Sequence, residues 1–408
     1  MRFQEFIAEQ KNTHMTHIED KVLYGGVDGT RQAILALRSL RDMLGGVKEG
    51  RVSVKWDGAP AIFAGIDPRD GQFFVAKKGI FAKSPKVYKT NDDIDADTSG
   101  DLNAKLKLAL EHLPSLGIKG VIQGDFLFSE SDVKTEKIKG KSYTTFHPNT
   151  ILYAVPADSD MAKKIKAAQI GIVWHTTYKG SSFETMKASY GVDVSKFANS
   201  TKVWSQDAML KDLTNVTMSK EETDAVNTHL SNAGKIFNRI SGSTLRQLEA
   251  NQELAQHIEQ FNNTFVRKGA VIGNTTAHTN KLIRWINTKY KKEMDKRSTE
   301  RGKATQQAKL DNLLSFFSPT NKRSLAQMFE LQKEIVLAKL KLINSLNKLS
   351  KVDTFLKTSQ GYKVTGEEGY VAIDKLGGDA VKIVDRMEFS YANFSPDILK
   401  GWDKPGRN

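Results

Sequence analysis

The sequence predicts an α+β fold, a mixed core of strands interrupted by a long helical insertion. Three observations carry that expectation. Short apolar runs of strand length recur between 51 and about 190. From about 200 to 350 the apolar residues fall instead at helical spacing. After Gly361 strand texture returns, so the last strands are expected to rejoin the first. The expected segments are an N-terminal helical element (1–50), the first part of the core (51–190), the insertion (191–360), and the last strands with a polar tail (361–408). No internal repeat is visible.

Each element has a local signal. In 1–50, Ala33, Ile34, Leu37, Leu40 and Leu44 form one helical stripe that Thr30 is placed to cap and Gly45–Gly46 to stop. Val52, Val54 and Trp56 alternate with polar neighbours, as in a half-buried strand. Apolar runs at 61–64, 73–76, 121–128, 151–155 and 170–174 read as further strands, with helices at 101–113 and 158–168. The polar, acidic segment 91–101 reads as a loop. Leu325, Met328, Ile335, Leu342, Ile343, Leu346 and Leu349 mark a long amphipathic helix, and 370–373 and 380–384 mark the returning strands.

The chain has 408 residues, 39% hydrophobic and 9% aromatic, enough for a sizeable core. With 61 Lys and Arg against 47 Asp and Glu the net charge is +14, which favours a polyanionic partner through counterion release. The absence of cysteine excludes disulfides, Cys-ligated zinc, iron–sulfur clusters and a Cys nucleophile. The opening MRFQEFIAEQ has no apolar stretch of the kind a signal peptide needs, and no run is apolar enough to span a bilayer. A cytoplasmic monomer with no membrane contact is therefore expected.

The sharpest local feature is Lys55-Trp56-Asp57-Gly58, at the end of the alternating strand. A lysine there serves as a nucleophile when its surroundings favour the free amine. Asp57 is placed to orient it or to face a metal, and Gly58 lets the backbone pass close to a ligand. The competing reading is a plain hairpin, since Asp-Gly is a strong turn signal.

Taken with later segments, this motif resembles the first of an ordered series in the covalent nucleotidyltransferase superfamily, which comprises ATP-dependent DNA and RNA ligases and mRNA capping enzymes. Ala76-Lys77-Lys78-Gly79 is similar to the next, basic element. Gly124-Asp125-Phe126-Leu127 resembles the third motif, with Asp in place of the usual Glu. Ile151-Leu152-Tyr153-Ala154 resembles the strand whose aromatic ring stacks on the purine. Glu368-Gly369-Tyr370-Val371 resembles the fourth motif, and Val381-Lys382-Ile383-Val384 the fifth. The resemblance covers roughly 51–178 and 366–390.

It implies a ligase-type core of antiparallel sheets flanked by helices. The implied function is an ATP-dependent polynucleotide ligase joining 5′-phosphate and 3′-hydroxyl ends of DNA or RNA through a lysyl-AMP. Lys55 would be the nucleophile, Asp57 its orienting carboxylate, and Lys382 the phosphate-holding cation. Gly58, Lys77, Lys78, Asp125, Tyr153, Lys382 and Arg386 would line the nucleotide site. Glu368 and Asp125 would serve Mg²⁺, with Mn²⁺ as a substitute.

Departures accompany the resemblance. Val384 stands where the fifth motif usually has a second lysine, leaving Arg386 as the replacement. Pro60 stands where DNA ligases usually carry an arginine. About twenty residues follow the fifth motif, so no C-terminal OB-fold is expected, which leans toward an RNA-ligase-like architecture. The helical block would then hold nucleic acid, through segment 281–309, with ten basic and three acidic residues and with Trp285 and Tyr290 within it. The alternatives are a non-catalytic nucleic-acid-binding protein with a decayed core, and a nucleotidyltransferase acting on another acceptor.

The histidines add little: His14 and His17 lack a ligand pattern, and His175 reads as a core residue near the pocket. Gly25-Gly26-x-x-Gly29 has neither the preceding strand nor the Gly-Lys-Ser/Thr of a phosphate loop.

Overall fold

The computed structural model describes residues 16–47, 51–210, 218–350, 352–373 and 380–402. His14 and the opening ten residues lie outside them.

The first helices are α1 (Lys21–Tyr24) and α2 (Gly26–Leu44). Helix α2 buries the stripe Ala33, Ile34, Leu37, Leu40 and Leu44, as its spacing predicts. It starts at Gly26 rather than after Thr30. Thr30 lies one turn inside, its hydroxyl donating to the Gly26 carbonyl at 2.7 Å. Gly26 has φ +55°, which lets the chain turn sharply from α1 into α2.

The strands that follow are β1 (Arg51–Lys55), β2 (Ala61–Ile66) and β3 (Phe73–Ala76). Helices α3 (Asn91–Asp97) and α4 (Gly100–His112) come next. The expected loop at 91–101 is thus helical. Thr90 and Asp93 form a reciprocal capping box, and Asp92 and Asp93 in the first turn complement the helix dipole. Then come β4 (Val121–Ser129), β5 (Lys134–Ile138), β6 (Lys141–Phe146), β7 (Ile151–Pro156), α5 (Asp160–Ala167) and β8 (Ile170–Lys179).

Short strands β9 (Lys187–Tyr190), β10 (Val203–Asp207) and β11 (Met209–Leu210) lead to the helical block. Its helices are α6 (Lys220–Phe237), α7 (Gly242–Ala250), α8 (Gln252–Val266), α9 (Thr275–Asp295), α10 (Glu300–Ser315) and α11 (Pro319–Asn347). The chain returns as β12 (Asp353–Thr358), β13 (Gly361–Val364), β14 (Gly369–Ile373) and β15 (Ala380–Ile383), then α12 (Arg386–Phe394). The helices therefore occupy 220–347, a narrower span than 191–360, because strands at both margins pair into the sheets.

Three sheets result. One has the order β11-β1-β14-β15, a second β10-β8-β4-β2-β3 with β9 also on β8, and a third β13-β12-β7-β6-β5. All pairings are antiparallel except β10 on β8, which is parallel. One large apolar cluster runs continuously from α2 through β1, Tyr370 of β14 and Ile383 of β15 into α6–α11. The helical block thus packs on the sheet that carries the fourth and fifth motif-like segments. A second cluster fills the space between the β2-β4-β8 sheet and α3–α4. No described helix is long and apolar enough to cross a membrane.

Candidate functional site

Strand pairing assembles the site from distant segments. Lys55 at the end of β1 lies opposite Gly369 of β14, and Val371 of β14 lies opposite Lys382 of β15. Alternation along the three strands puts Lys55 and Lys382 on one face. Gly369 must be small there, since a Cβ would fall 2.4 Å from Val384 Cγ2. The Lys55 ammonium forms an ion pair with Glu368, and the two side chains are 34% and 10% exposed.

Asp125 of β4 approaches from the second sheet. Gly58 makes that approach possible: a Cβ at this position would lie 2.6 Å from Asp125 Cβ and 3.0 Å from the Phe126 carbonyl. The close contact expected between Gly58 and a ligand is instead a contact between two motif-like segments. His175 of β8 stands beside them, its Nε2 3.7 Å from an Asp125 carboxylate oxygen and its Nδ1 2.7 Å from Thr176 Oγ1.

These groups form one electrostatic set. Burial pushes the Asp125 carboxyl up to about 7, opposed by the positive charge of Lys55 and Lys78 and reinforced by Asp57. Burial likewise raises Glu368 to about 7 against the pull of Lys55, with Asp57 and Asp125 adding to the rise. Burial, with Lys55 adding to it, lowers His175 to about 4, so its imidazole is neutral near pH 7. Lys382 is lowered first by burial and then by Lys55. Lys55 therefore sits among Glu368, Asp125, His175 and Lys382. His175, read from the sequence as a core residue, belongs to the set.

The other expected residues have different partners. Asp57 is buried and its carboxylate accepts three hydrogen bonds: from Asn149 Nδ2 at 2.6 Å and from the Thr150 and Ile151 N–H groups at 2.7 and 2.8 Å. It pins the segment after β1 to the start of β7. Tyr153, expected to stack on a purine, is fully buried. Its ring stacks on Phe146 at 5.4 Å and its hydroxyl accepts from the Asp57 N–H at 2.7 Å. An aromatic in a strand buried on both faces becomes core.

Lys77 pairs with Asp97 of α3 at 3.0 Å, while Lys78 is exposed and acts on Asp125. Arg386, expected as the second phosphate cation, donates to Asp20 at 2.7 Å and lies 3.6 Å from Glu19. Glu19 is further held through both oxygens by Lys339 of α11 at 2.8 Å. Arg386 is thereby committed to a buried charge network between the segment before α1, the helical block and α12. The expected basic surface at 281–309 leaves Lys291, Lys292, Arg297 and Arg301 exposed. Tyr290 there is buried against His257 and donates to Glu253, and Trp285 packs on Phe261.

Sequence reasoning also missed Asn149 and the Glu19–Lys339 pair, which no local pattern marks. Among the described residues no group of three or more His, Asp or Glu side chains is arranged to hold a metal ion by itself.

A family model described as "Family of unknown function (DUF6267)" matches residues 12–397. No curated protein and no solved structure matches the chain.

Proposed function

The chain belongs to the family of unknown function DUF6267, and we propose that it is an ATP-dependent polynucleotide ligase working through a Lys55–AMP intermediate. The observation that carries this reading is the meeting of Lys55 of β1, Glu368 just before β14 and Lys382 of β15, with Asp125 brought in from the second sheet. A lysine, a carboxylate beside it and a second cation on the same face are what nucleotidyl transfer to an amine requires.

The Lys55 amine attacks the α-phosphorus of ATP, a P–N bond forms, and the bond to pyrophosphate breaks. Glu368, with its carboxyl near 7, is the group placed to accept the ammonium proton. Lys382 offsets charge on the α-phosphate from the neighbouring strand. A terminal 5′-phosphate oxygen then attacks the same phosphorus and releases Lys55. The 3′-hydroxyl of the other end finally displaces AMP to close the phosphodiester. Asp57 acts as a positioning residue, because its three hydrogen bonds fix the segment that follows Lys55 at the end of β1.

Mg²⁺ fits the donor set. Asp125 is a hard oxygen donor whose charge burial leaves under-compensated, and Mg²⁺ commonly takes one or two carboxylates together with substrate phosphates, which leaves Glu368 to the Lys55 ammonium. When bound it would neutralise phosphate charge.

The test is incubation with ATP labelled at the α-phosphate and a panel of nicked DNA, nicked RNA–DNA hybrid and single-stranded RNA carrying 5′-phosphates. Label passing from protein to a strand end, followed by a sealed product, supports the reading. Label on the protein that reaches no strand would point to another acceptor, and absence of label would overturn the reading.

A further inference from the structure

Among the described residues, the three strongly exposed aromatic side chains all lie near the C-terminal end: Tyr391 (41%), Phe394 (63%) and Trp402 (61%). Tyr391 and Phe394 are three residues apart on α12 and so share a face. A cation lies beside one face of each of these two rings, which stay exposed: Lys363 Nζ stands 4.5 Å from the Tyr391 centroid and the Arg267 guanidinium 5.4 Å from that of Phe394. Trp402 is tied to the same region. The Lys400 ammonium donates to the Ala392 and Asn393 carbonyls, which end α12, and the Gly401 N–H donates to the Asn149 carbonyl at 2.7 Å. Asn149 is the residue whose side chain holds Asp57. The aromatic surface therefore adjoins the segment that follows Lys55, and the inner side of α12, with Phe389 and Asn393, lines a recess with Glu367 and Glu368.

From this arrangement we infer that Tyr391, Phe394 and Trp402, with Lys363 and Arg267, form a platform for an unpaired nucleic-acid strand, leading its end toward Lys55. The occupant follows from the chemistry. Exposed rings offer faces to bases, and each adjoining cation matches a phosphate, which is how unpaired strands are held without sequence preference. A protein partner would bury the rings but would not call for a cation on each of two. A duplex keeps its bases stacked inside and offers no faces to these rings. The platform's role in end-joining rests on the ligase reading, but strand binding does not.

The experiment measures binding of fluorescent 12-nucleotide single strands and of the matching duplex by fluorescence anisotropy, beside AMP labelling on the same preparations. The parent should prefer the single strand. Phe394→Ala and Trp402→Ala should each weaken that binding by about 5- to 100-fold, while Trp402→Phe retains most of it. Lys363→Gln with Arg267→Gln should lower the slope of log affinity against log salt by about 0.7 per cation. Thermal unfolding matching the parent excludes misfolding, since all five side chains are exposed. Alanine variants that bind the single strand as the parent does would overturn the platform, as would a parent that prefers duplex. Loss of strand binding in these variants, with no AMP labelling in the parent, would leave the platform standing and remove the ligase reading instead.

Discussion

Lys55 and Glu368 come from opposite ends of the chain, and their ion pair is the smallest unit on which the account depends. Replacing Glu368 with Gln keeps the size and removes the proton acceptor. It should slow AMP labelling by about 10²- to 10⁴-fold with little change in fold. Glu367 next to it makes a different prediction. One of its oxygens accepts from Ser350 at 2.8 Å, while the other is buried without a partner among the described residues, and burial raises the carboxyl from 4.5 to about 7. The folded chain thus holds a proton there that the unfolded chain has released. Between about pH 4.5 and 7 the folded state binds more protons, so this group's contribution to stability falls as pH rises. Glu367→Gln should melt like the parent at pH 5 and be more stable at pH 8, on the order of 1–3 kcal/mol. Thermal melts at the two pH values decide it: no gain at pH 8 would mean that the carboxylate is already accommodated.

At the scale of elements, the strands with apolar or alternating runs were legible in the sequence, as were α4, α5 and the long α11. The strands missed are β5, β6, β9 and β13, which carry many polar residues, and β10, β11 and β12, which fell within the expected helical insertion; their pairing is settled by partners rather than by their own pattern. The site divides the same way. Lys55, Glu368 and Lys382 were legible because each occupies a fixed place in a short strand motif. The engagement of Arg386 was not, because Glu19 and Asp20 precede α1 and only the packing of α2 and α11 brings them to α12. That buried network has a measurable consequence. Lys339 is 1% exposed and holds both oxygens of Glu19. Lys339→Met leaves a buried carboxylate short of a partner and should cost about 3–5 kcal/mol in urea unfolding. Adding Glu19→Gln should recover part of it. A loss that the double variant does not reduce would mean that packing, rather than charge, holds the junction.

For the whole molecule, the +14 charge favours a polyanionic partner, and basic residues of two neighbouring helices are exposed. On α9 and α10, Lys291, Lys292 and Arg301 are exposed, while Lys289 donates to Gln260 and stands over Trp285. Changing Lys291, Lys292 and Arg301 together to Gln should weaken nucleic-acid binding and lower its salt slope by up to about 0.7–0.9 per lost phosphate contact. AMP labelling of Lys55 should persist, because those helices supply no residue to the Lys55 set. An unchanged slope would make that face a solvated one. All of these expectations depend on Lys55 being the nucleophile, and the most direct measurement is the intact mass of the protein after incubation with ATP and Mg²⁺, followed by peptide mapping. The expected result is a gain of one AMP, on the peptide containing Lys55, lost in acid as a phosphoramidate should be and absent from Lys55→Ala and Lys55→Arg. AMP retained by Lys55→Ala, or a parent protein that gains none, would contradict it.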